Sequence, residues 1–227
     1  GCLKNDFKGL ITGPINKELI ASSCKIKFTG HTEYLTKKFT SVKKTVMMMQ
    51  AEDFRVVPLT QHIPLKSVPK YITKKNVKET AYIVNKCLKE FWNIEDPKIY
   101  VSGLNPHSGE NGIIGHEEIL EINPALQELK SEGINVSGPF PADSLFNKMT
   151  RKEYDVAICM YHDQALIPIK SIFFDSVINI TLGLPIIRTS PGHGTAFNIV
   201  GSEKVNINPF KVSLIEAERL AKLKKRD

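Results

Sequence analysis

The sequence predicts an α/β sheet protein, and three observations support that prediction. Apolar runs of strand length alternate with stretches that have helical spacing, the order typical of a sheet covered by helices. Hydrophobic residues occupy 41% and charged residues 24% of the 227 positions, which argues against a disordered or fibrous chain. The longest apolar runs, such as 156–161, are far too short to span a bilayer.

The individual elements are predicted from the spacing of apolar residues and from turn and capping residues. Strands are expected at 9–14 (ending in a turn), 45–50, 54–59, 98–104, 155–161 and 177–182. Helices are expected at 16–22, 76–91 and, for the most part, 117–132. The sequence Asn208-Pro209 is typical of a helix cap followed by the first helical residue, so a last helix should run from there to about Lys224.

Composition narrows the class of partner and the compartment. Lys and Arg number 31 against 24 Asp and Glu, and the resulting charge of +7 favours anionic partners. A phosphorylated or carboxylated small molecule is preferred over nucleic acid, because the basic residues are not interleaved with aromatic ones. Four cysteines without CxxC spacing indicate neither a zinc knuckle nor a disulfide framework, and the absence of an apolar stretch after Gly1–Lys4 argues against a secretory signal. A cytoplasmic protein is expected.

Three of the six histidines follow apolar strands directly. His62, His107 and His162 each come after a predicted strand, and the carboxyl ends of strands are where ligands bind in open α/β sheets. Three neutral imidazoles suit Zn²⁺, Co²⁺ or Mn²⁺ and leave coordination positions open for a substrate oxygen. A single histidine in such a place is more often an ordinary loop residue, and spacings of 45 and 55 residues match no local metal motif. The metal site and the loop reading are about equally supported by spacing.

Two further groups of residues have two readings each. Lys170 follows Pro168-Ile169, taken as the end of a strand, and together with Asn179 and Arg188 it could hold a phosphate. The alternative, three unrelated surface residues, is preferred on this evidence. The glycines of the segment 192–201 could let the backbone approach a nucleotide, but an ordinary turn is equally compatible, since no GxGxxG fingerprint or P-loop occurs.

Several blocks together resemble one enzyme family over essentially the whole chain. They are 12–17 (TGPINK), 28–33 (FTGHTE), 103–110 (GLNPHSGE), 138–143 (GPFPAD), 157–164, 179–185 (NITLGLP) and 188–190 (RTS). In this order they resemble the 4-hydroxythreonine-4-phosphate dehydrogenases, the PdxA family of pyridoxal phosphate biosynthesis. The resemblance implies one dehydrogenase region over 1–227 with an isocitrate/isopropylmalate-dehydrogenase-like sheet and two subdomains separated by a cleft.

The resemblance also implies roles for individual residues. His62, His107 and His162 fall on the family's ligands for a divalent metal (zinc, magnesium or cobalt), which decides the open question in favour of a metal. The positions that contact substrate are His31, Thr32, Lys170, Asn179 and Arg188. Gly194 and Thr195 match a segment along the adenosine side of NAD. Asp163, beside a metal ligand, is expected either to orient that ligand or to accept a proton, and Lys170 is the other catalytic candidate.

The implied reaction is the NAD-dependent oxidation of 4-phosphohydroxy-L-threonine to 2-amino-3-oxo-4-phosphooxybutanoate, followed by decarboxylation to 3-amino-2-oxopropyl phosphate. Family members are homodimers whose active site lies at the subunit interface, so the ligands would come from both chains. The alternatives are a relative that oxidises a four-carbon sugar-acid phosphate or a diol acid, and an inactive metal- and phosphate-binding fragment.

The sequence departs from the family at two places. The family's N-terminal portion, which supplies part of the sheet and one flank of the cleft, would lie ahead of Gly1. The common Ser-Val-Asp-His-Gly-Thr pattern reads Ser-Pro-Gly-His-Gly-Thr at 190–195, with Gly192 in place of the acid. The acidic pair Glu117 and Glu118 is expected to open a helix and to take no part in chemistry.

Overall fold

The structure, a computed structural model, describes residues 1–4, 6–25, 30–197, 200–201 and 205–223. Its centre is an eight-stranded mixed sheet. The strands are β1 (Gly9–Ile11), β2 (Val46–Ala51), β3 (Phe54–Pro58), β4 (Ile99–Ser102), β5 (Val136–Phe140), β6 (Val156–Cys159), β7 (Ile178–Leu182) and β8 (Ile187–Pro191). They lie in the order β1-β8-β7-β2-β3-β6-β4-β5. The α/β class predicted from the sequence is confirmed, while the predicted arrangement of two subdomains around a cleft stays a prediction.

Seven α-helices lie in the described part of the chain. They are α1 (Lys17–Cys24), α2 (His31–Lys38), α3 (Lys74–Trp92), α4 (Asn123–Ser131), α5 (Ala142–Leu145), α6 (His162–Phe173) and α7 (Asn208–Leu223). A π-helical turn, Glu118–Ile122, leads into α4. Among these helices none is both long and apolar enough to cross a membrane.

The described part of the chain has two large buried clusters, one on each face of the sheet, and a small third one of Phe39, Leu184 and Ile186. On one face, α3, α4 and α7 cover the sheet, and residues such as Val84, Leu88 and Leu220 pack against the strands. On the other face, α6 covers β2, β3 and β6 through Ala165 and Ile169. The long helix α3 forms because apolar residues recur at helical spacing and because the side chain of Thr73 accepts a hydrogen bond from the N–H of Asn76 at its start.

The structure corrects one local prediction and adds two strands. Pro168-Ile169 is not the end of a strand: Pro168 lies inside α6, and Lys170 follows it in the same helix. The buried residues of α6 recur at helical spacing, which outweighs the proline as a breaker. Strands β5 and β8 were not predicted, and α7 includes Asn208 where a cap was expected and is described to Leu223, one residue before the predicted end.

The direction of the strands decides which loops meet. Strands β3, β6, β4 and β5 are mutually parallel neighbours. Their carboxyl ends therefore share one edge of the sheet, which is where ligands bind in sheets of this kind. The segments that carry His62, His162 and His107 leave from this edge, as predicted.

Candidate active site

A pocket of about 230 Å³ lies on the α6 face of the sheet, over β2, β7 and β8. It is lined by six of the sequence-predicted substrate, metal and cofactor residues: His31, Thr32, His62, Asn179, Arg188 and Gly194. The other polar side chains of the lining are Lys17, Glu33, Gln61, Ser190 and His193. The sheet supplies the floor, and the starts of α1 and α2 supply the wall.

Arg188 is the most unusual residue of the pocket. It is a strand residue of β8, only 4% exposed, whose guanidinium donates to the hydroxyls of Thr181 (3.0 Å) and Thr12 (2.7 Å). Within the described ranges, its Nε has no hydrogen-bond partner, and no carboxylate lies within ion-pair distance. Burial lowers the pKa of Arg188 to about 10. The carboxylate of Glu33, in the same pocket, offsets this shift only in part. A buried guanidinium with an unused N–H and no carboxylate in ion-pair contact is suited to an anionic ligand.

Asn179 and the helix starts add to the same site. The Oδ1 of Asn179 is buried and has no partner among the described residues. Helix α2 begins at His31, and residues 31–33 of its first turn line the pocket. The first turn of a helix leaves backbone N–H groups without intrahelical partners and favours negative charge. Gly30 caps this helix with φ 153°, a conformation that L side chains rarely adopt, and a Cβ there would lie 2.8 Å from the Glu33 carboxylate, which would have to move.

His31 is held in its neutral form. Burial, and secondarily the charge of Arg188, lower the pKa of His31 below its ordinary value of 6.5. Its place beside Arg188 puts a titratable group next to the position that an anion would occupy. The binding of an anion there would favour the protonated imidazole.

His62 and His162 form a pair at the edge of this pocket. Their ring centroids lie 5.7 Å apart. Since a Zn–N bond is about 2.0–2.1 Å, two imidazoles on one ion have their centroids about 5–6 Å apart, so the observed spacing fits a shared metal. Burial, followed by the charges of Lys17 and His162, lowers the pKa of His62, which keeps that imidazole neutral, as a metal ligand must be.

His107 does not join this pair within one chain. Its side chain is 72% exposed on the loop after β4, and its Nδ1 lies 3.6 Å from a carboxylate oxygen of Glu110. Across the part of the chain that the structure describes, no three His, Cys, Asp or Glu side chains converge closely enough to hold an ion. The structure thus brings two of the three predicted ligands together and leaves the third on the surface.

The predicted catalytic residues lie on α6. Nδ1 of His162 and Oδ1 of Asp163 are hydrogen-bonded at 2.6 Å, which leaves Nε2 of the ring for a metal. Lys170, two turns further along, lines a shallow cleft with His162 and Asp163, and its Nζ donates to the carbonyl of Gly192 at 3.0 Å. Lys170 is therefore separated from Asn179 and Arg188, although it holds the segment that leads into their pocket.

The segment predicted to contact a cofactor begins at that carbonyl. The N–H of Gly192 donates to Val177 O at 3.0 Å, and a Cβ at this position would lie 2.7 Å from the same oxygen. A side chain there would have to displace that backbone, so in this fold the glycine fits where the family's common acid would not. Gly194 has open space on its side-chain face, and Thr195 is partly buried beside it. The predicted blocks also include residues 28–29 and 198–199, which lie outside the described residues.

Sequence reasoning missed four polar residues of this region. Lys17 and Glu33 line the pocket within segments quoted for other reasons. Glu118, for which no chemistry was predicted, and Gln164 hold the loop after β4 through partly buried hydrogen bonds. The nearby glycines at 103 and 109 were the available signal, since close backbone approach requires them.

Known proteins resemble this chain throughout its length. A family model described as pyridoxal phosphate biosynthetic protein PdxA matches residues 1–221. The 4-hydroxythreonine-4-phosphate dehydrogenase of Marinobacter nauticus is 43% identical over 99% of this chain and 66% of its own length. The solved structure of the enzyme of that name from Klebsiella pneumoniae superposes with a TM-score of 0.87 at 34% identity, covering 97% of this chain and 66% of that one.

A more distant solved structure carries a different name. The terephthalate 1,2-cis-dihydrodiol dehydrogenase of Burkholderia xenovorans has a TM-score of 0.72 and 25% identity, over 97% of this chain and 68% of that one. This chain spans just under two thirds of the Marinobacter relative. Because the family model covers nearly every residue, the chain belongs to the PdxA family of pyridoxal phosphate biosynthetic proteins.

Proposed function

We propose that the chain forms part of a 4-hydroxythreonine-4-phosphate dehydrogenase that uses NAD and a divalent metal. In this proposal it oxidises the C3 hydroxyl of 4-phosphohydroxy-L-threonine, and the β-keto acid then loses CO₂. The observation that carries the proposal is Arg188, a buried guanidinium that has no carboxylate partner among the described residues and faces a pocket of ligand size. The names of the family's other members support the same reaction.

The pocket residues are assigned to the phosphate and the amino acid. Arg188 offers its free Nε–H to a phosphate oxygen, and the start of α2 at His31 and Thr32 offers backbone N–H groups. Asn179, whose Oδ1 is unpartnered among the described side chains, accepts from a hydroxyl or ammonium group of the substrate. Lys17 balances the negative charge that Glu33 contributes to the same wall.

The metal is assigned to an interface between two copies of the chain. His62 and His162 have the spacing of two ligands on one ion, and His107, which is exposed, would reach the corresponding pair of a partner copy. This arrangement requires the homodimer with a shared active site that the resemblance implies. Zinc, cobalt and magnesium are the candidates; when bound, such a metal acts as a Lewis acid on the substrate hydroxyl.

Asp163 and Lys170 are assigned to orientation and proton transfer. Through its 2.6 Å bond, Asp163 fixes the ring of His162 and directs Nε2 toward the ion. Lys170, which lines the same cleft as that histidine and donates to the carbonyl of Gly192, is assigned the exchange of a proton with the reacting group. We assign the NAD adenosine to the open surface at Gly194 and Thr195, in a dehydrogenase-like cleft between two subdomains, and the enzyme to the cytoplasm.

A second candidate substrate is a diol acid or sugar-acid phosphate. It is favoured by the likeness to the dihydrodiol dehydrogenase of Burkholderia xenovorans, since an arginine fork binds carboxylate as well as phosphate. The reaction would again be a metal-assisted oxidation of a hydroxyl beside a carbon that bears an anionic group. A third reading, metal and phosphate binding without turnover, follows from the shorter span of this chain.

One set of assays separates these readings. The purified chain is incubated with NAD and Co²⁺ or Mg²⁺ and with 4-phosphohydroxythreonine, 4-phosphothreonate or a cis-diol carboxylate, and NADH is followed by absorbance. We expect NADH from 4-phosphohydroxythreonine, and none from the His62→Ala variant. Turnover of another substrate alone would replace the first proposal with the second. Binding of metal and phosphate with no NADH from any of the three would support the fragment reading.

A further inference from the structure

The loop that presents His107 has a backbone conformation that L-amino acids rarely adopt. Five consecutive residues, His107 to Asn111, have φ between 44° and 83°, the left-handed region, and only one of them is glycine. Such a run is sparsely populated in an isolated chain, so the surrounding structure must hold it. The question is which groups do so.

The carboxylate of Glu118 lies inside the curve of this loop. Glu118 is only 2% exposed. Its Oε1 accepts hydrogen bonds from the backbone N–H groups of Leu104 and Asn105, both at 2.8 Å, and its Oε2 accepts from Asn105 Nδ2 at 2.9 Å. A carboxylate that receives three N–H donors is a strong anchor, because each of these bonds is assisted by charge.

Two glycines make room for this carboxylate. A Cβ on Gly103 would lie 3.0 Å from Glu118 Oε1, and a Cβ on Gly109 would lie 2.7 Å from Oε2. The backbone of the loop therefore packs against both carboxylate oxygens of Glu118, at Gly103 and at Gly109. Glu118 and the two glycines together fix the position of residues 105–111 relative to the sheet.

A second side chain ties the same loop to the His162 helix. Gln164 Nε2 donates to the carbonyl of Gly103 at 2.9 Å, and Gln164 Oε1 accepts from Met160 N–H at 2.7 Å and from Ser102 Oγ at 2.8 Å. The start of the loop is thus fixed to the turn that presents His162.

We infer that Glu118 is a positioning residue for His107: its buried carboxylate holds the left-handed loop in the conformation that presents this imidazole to a metal. The inference rests on the proposed metal role of His107. Glu118 itself contacts neither substrate nor metal and acts through the backbone of residues 104–111. Glu117 is a matched control, since it is the neighbouring acid, is partly exposed and shares the Asn105 side chain (Nδ2 to Oε2, 2.8 Å) but accepts no hydrogen bond from the backbone N–H groups of residues 104 and 105.

The test compares Glu118→Gln with Glu117→Gln in two measurements on the full chain. The first is the Kd for Co²⁺ together with the visible absorption of the bound ion, which reports the number and kind of its ligands. The second is backbone hydrogen exchange over residues 104–112 without metal. For Glu118→Gln we expect a Kd at least about tenfold higher, a changed Co²⁺ spectrum and faster exchange, as for other groups that orient metal ligands. For Glu117→Gln both quantities should stay within about threefold of the parent.

The outcomes separate this inference from the proposed function. If Glu118→Gln matches Glu117→Gln in Kd, spectrum and exchange, the inference is overturned. If the parent binds Co²⁺ and His107→Ala does not weaken it, the metal role of His107 fails and the inference falls with it, whatever exchange shows. Should Glu118→Gln not fold, Asn105→Ala removes one of the three bonds, together with the bond to Glu117, whose separate effect Glu117→Gln measures. We expect a smaller rise of the Co²⁺ Kd than for Glu118→Gln but a larger one than for Glu117→Gln, and an unchanged Kd would again overturn the inference.

Discussion

Replacing Arg188 by methionine should remove anion binding without destabilising the ligand-free protein. Burial lowers the pKa of Arg188 from 12.5 to about 10. One pKa unit corresponds to ~1.4 kcal/mol, so keeping this side chain charged in the folded protein costs about 3 kcal/mol. Because arginine is charged in both the folded and the unfolded chain at neutral pH, the full cost is present under ordinary conditions.

The substitution also loses stabilising contacts. Because the donor is charged, the hydroxyls of Thr181 and Thr12 each lose a bond worth about 1.5 kcal/mol. These two losses offset the relieved cost, so the free energy of unfolding should stay within about 1 kcal/mol of the parent, which for a protein of this size is a Tm change of at most about 2–4 °C. Removing one partner of a paired buried charge costs about 3–5 kcal/mol instead.

The assay is thermal unfolding with and without inorganic phosphate. At a hundredfold excess over Kd, a ligand stabilises the folded state by about 2.7 kcal/mol, so the parent Tm should rise by about 5–10 °C. Arg188→Met should show no rise. Arg151→Met is the control, because Arg151 stacks on Phe54 and Phe173 away from the pocket, and it should keep the full rise.

Two results would refute this reasoning. A phosphate-dependent rise in Arg188→Met equal to that of the parent would show that the anion binds elsewhere. A loss of more than about 3 kcal/mol in the ligand-free variant would show that the guanidinium stabilises the fold, contrary to the cost of an unpaired buried charge.

Three further predictions concern the rest of the molecule. Below pH 6.5 the ligand-free protein should lose stability, because the pKa of His31 is lowered in the folded state and the unfolded chain takes up that proton first. In urea unfolding, the stability of His31→Asn should depend less on pH than that of the parent, and an equal pH dependence of the two proteins would contradict this prediction. A thiol reagent should modify exposed Cys24 quickly and Cys159 only on unfolding, since burial in β6 raises the pKa of the Cys159 thiol; equal rates would contradict the sheet order. Glu216→Ala should lower the free energy of unfolding by about 3 kcal/mol, because the carboxylate of Glu216 (8% exposed) accepts hydrogen bonds from Gln50 and Arg219. Denaturant unfolding measures this change, and a decrease of less than about 1 kcal/mol would contradict the prediction.

The long regular elements could be predicted from the sequence because their residues obey a single rule. Helix α3 has five apolar residues at helical spacing, and β2 and β3 are mostly apolar runs with one buried polar residue each, Gln50 and Arg55. Which strands lie side by side, and whether they run parallel or antiparallel, depends on contacts between distant residues, and a single sequence does not reveal these contacts. Even so, the expectation that chemically active residues follow strands led to the correct edge of the sheet.

The missed elements break the same rule for identifiable reasons. Strand β8 reads Ile-Arg-Thr-Ser-Pro, and its polar residues are buried because they face the pocket or the last helix. Strand β5 contains Gly138 and Pro139, which have low strand propensity. Within α6, Pro168-Ile169 was taken as the end of a strand, although the N–H that the proline lacks costs one bond in a helix stabilised by packing.

The candidate site was likewise predictable only in part. The resemblance to a family identified Arg188, Asn179 and the histidines, and the fold brings most of these residues to one pocket. Glu118 could not be found in this way, since an acid at a helix start is ordinary in sequence. Its role depends on a loop conformation that only coordinates display.

The central claim, that the metal site combines His62 and His162 of one chain with His107 of another, is tested most directly by mixing variants. His162→Ala and His107→Ala are purified separately, mixed to exchange subunits and assayed for bound Co²⁺. Each variant alone should bind none. In the mixture, half the dimers carry one undamaged site, so about a quarter of the parent's Co²⁺ should return. If no Co²⁺ returns although mixed dimers form, the three histidines do not act across the interface.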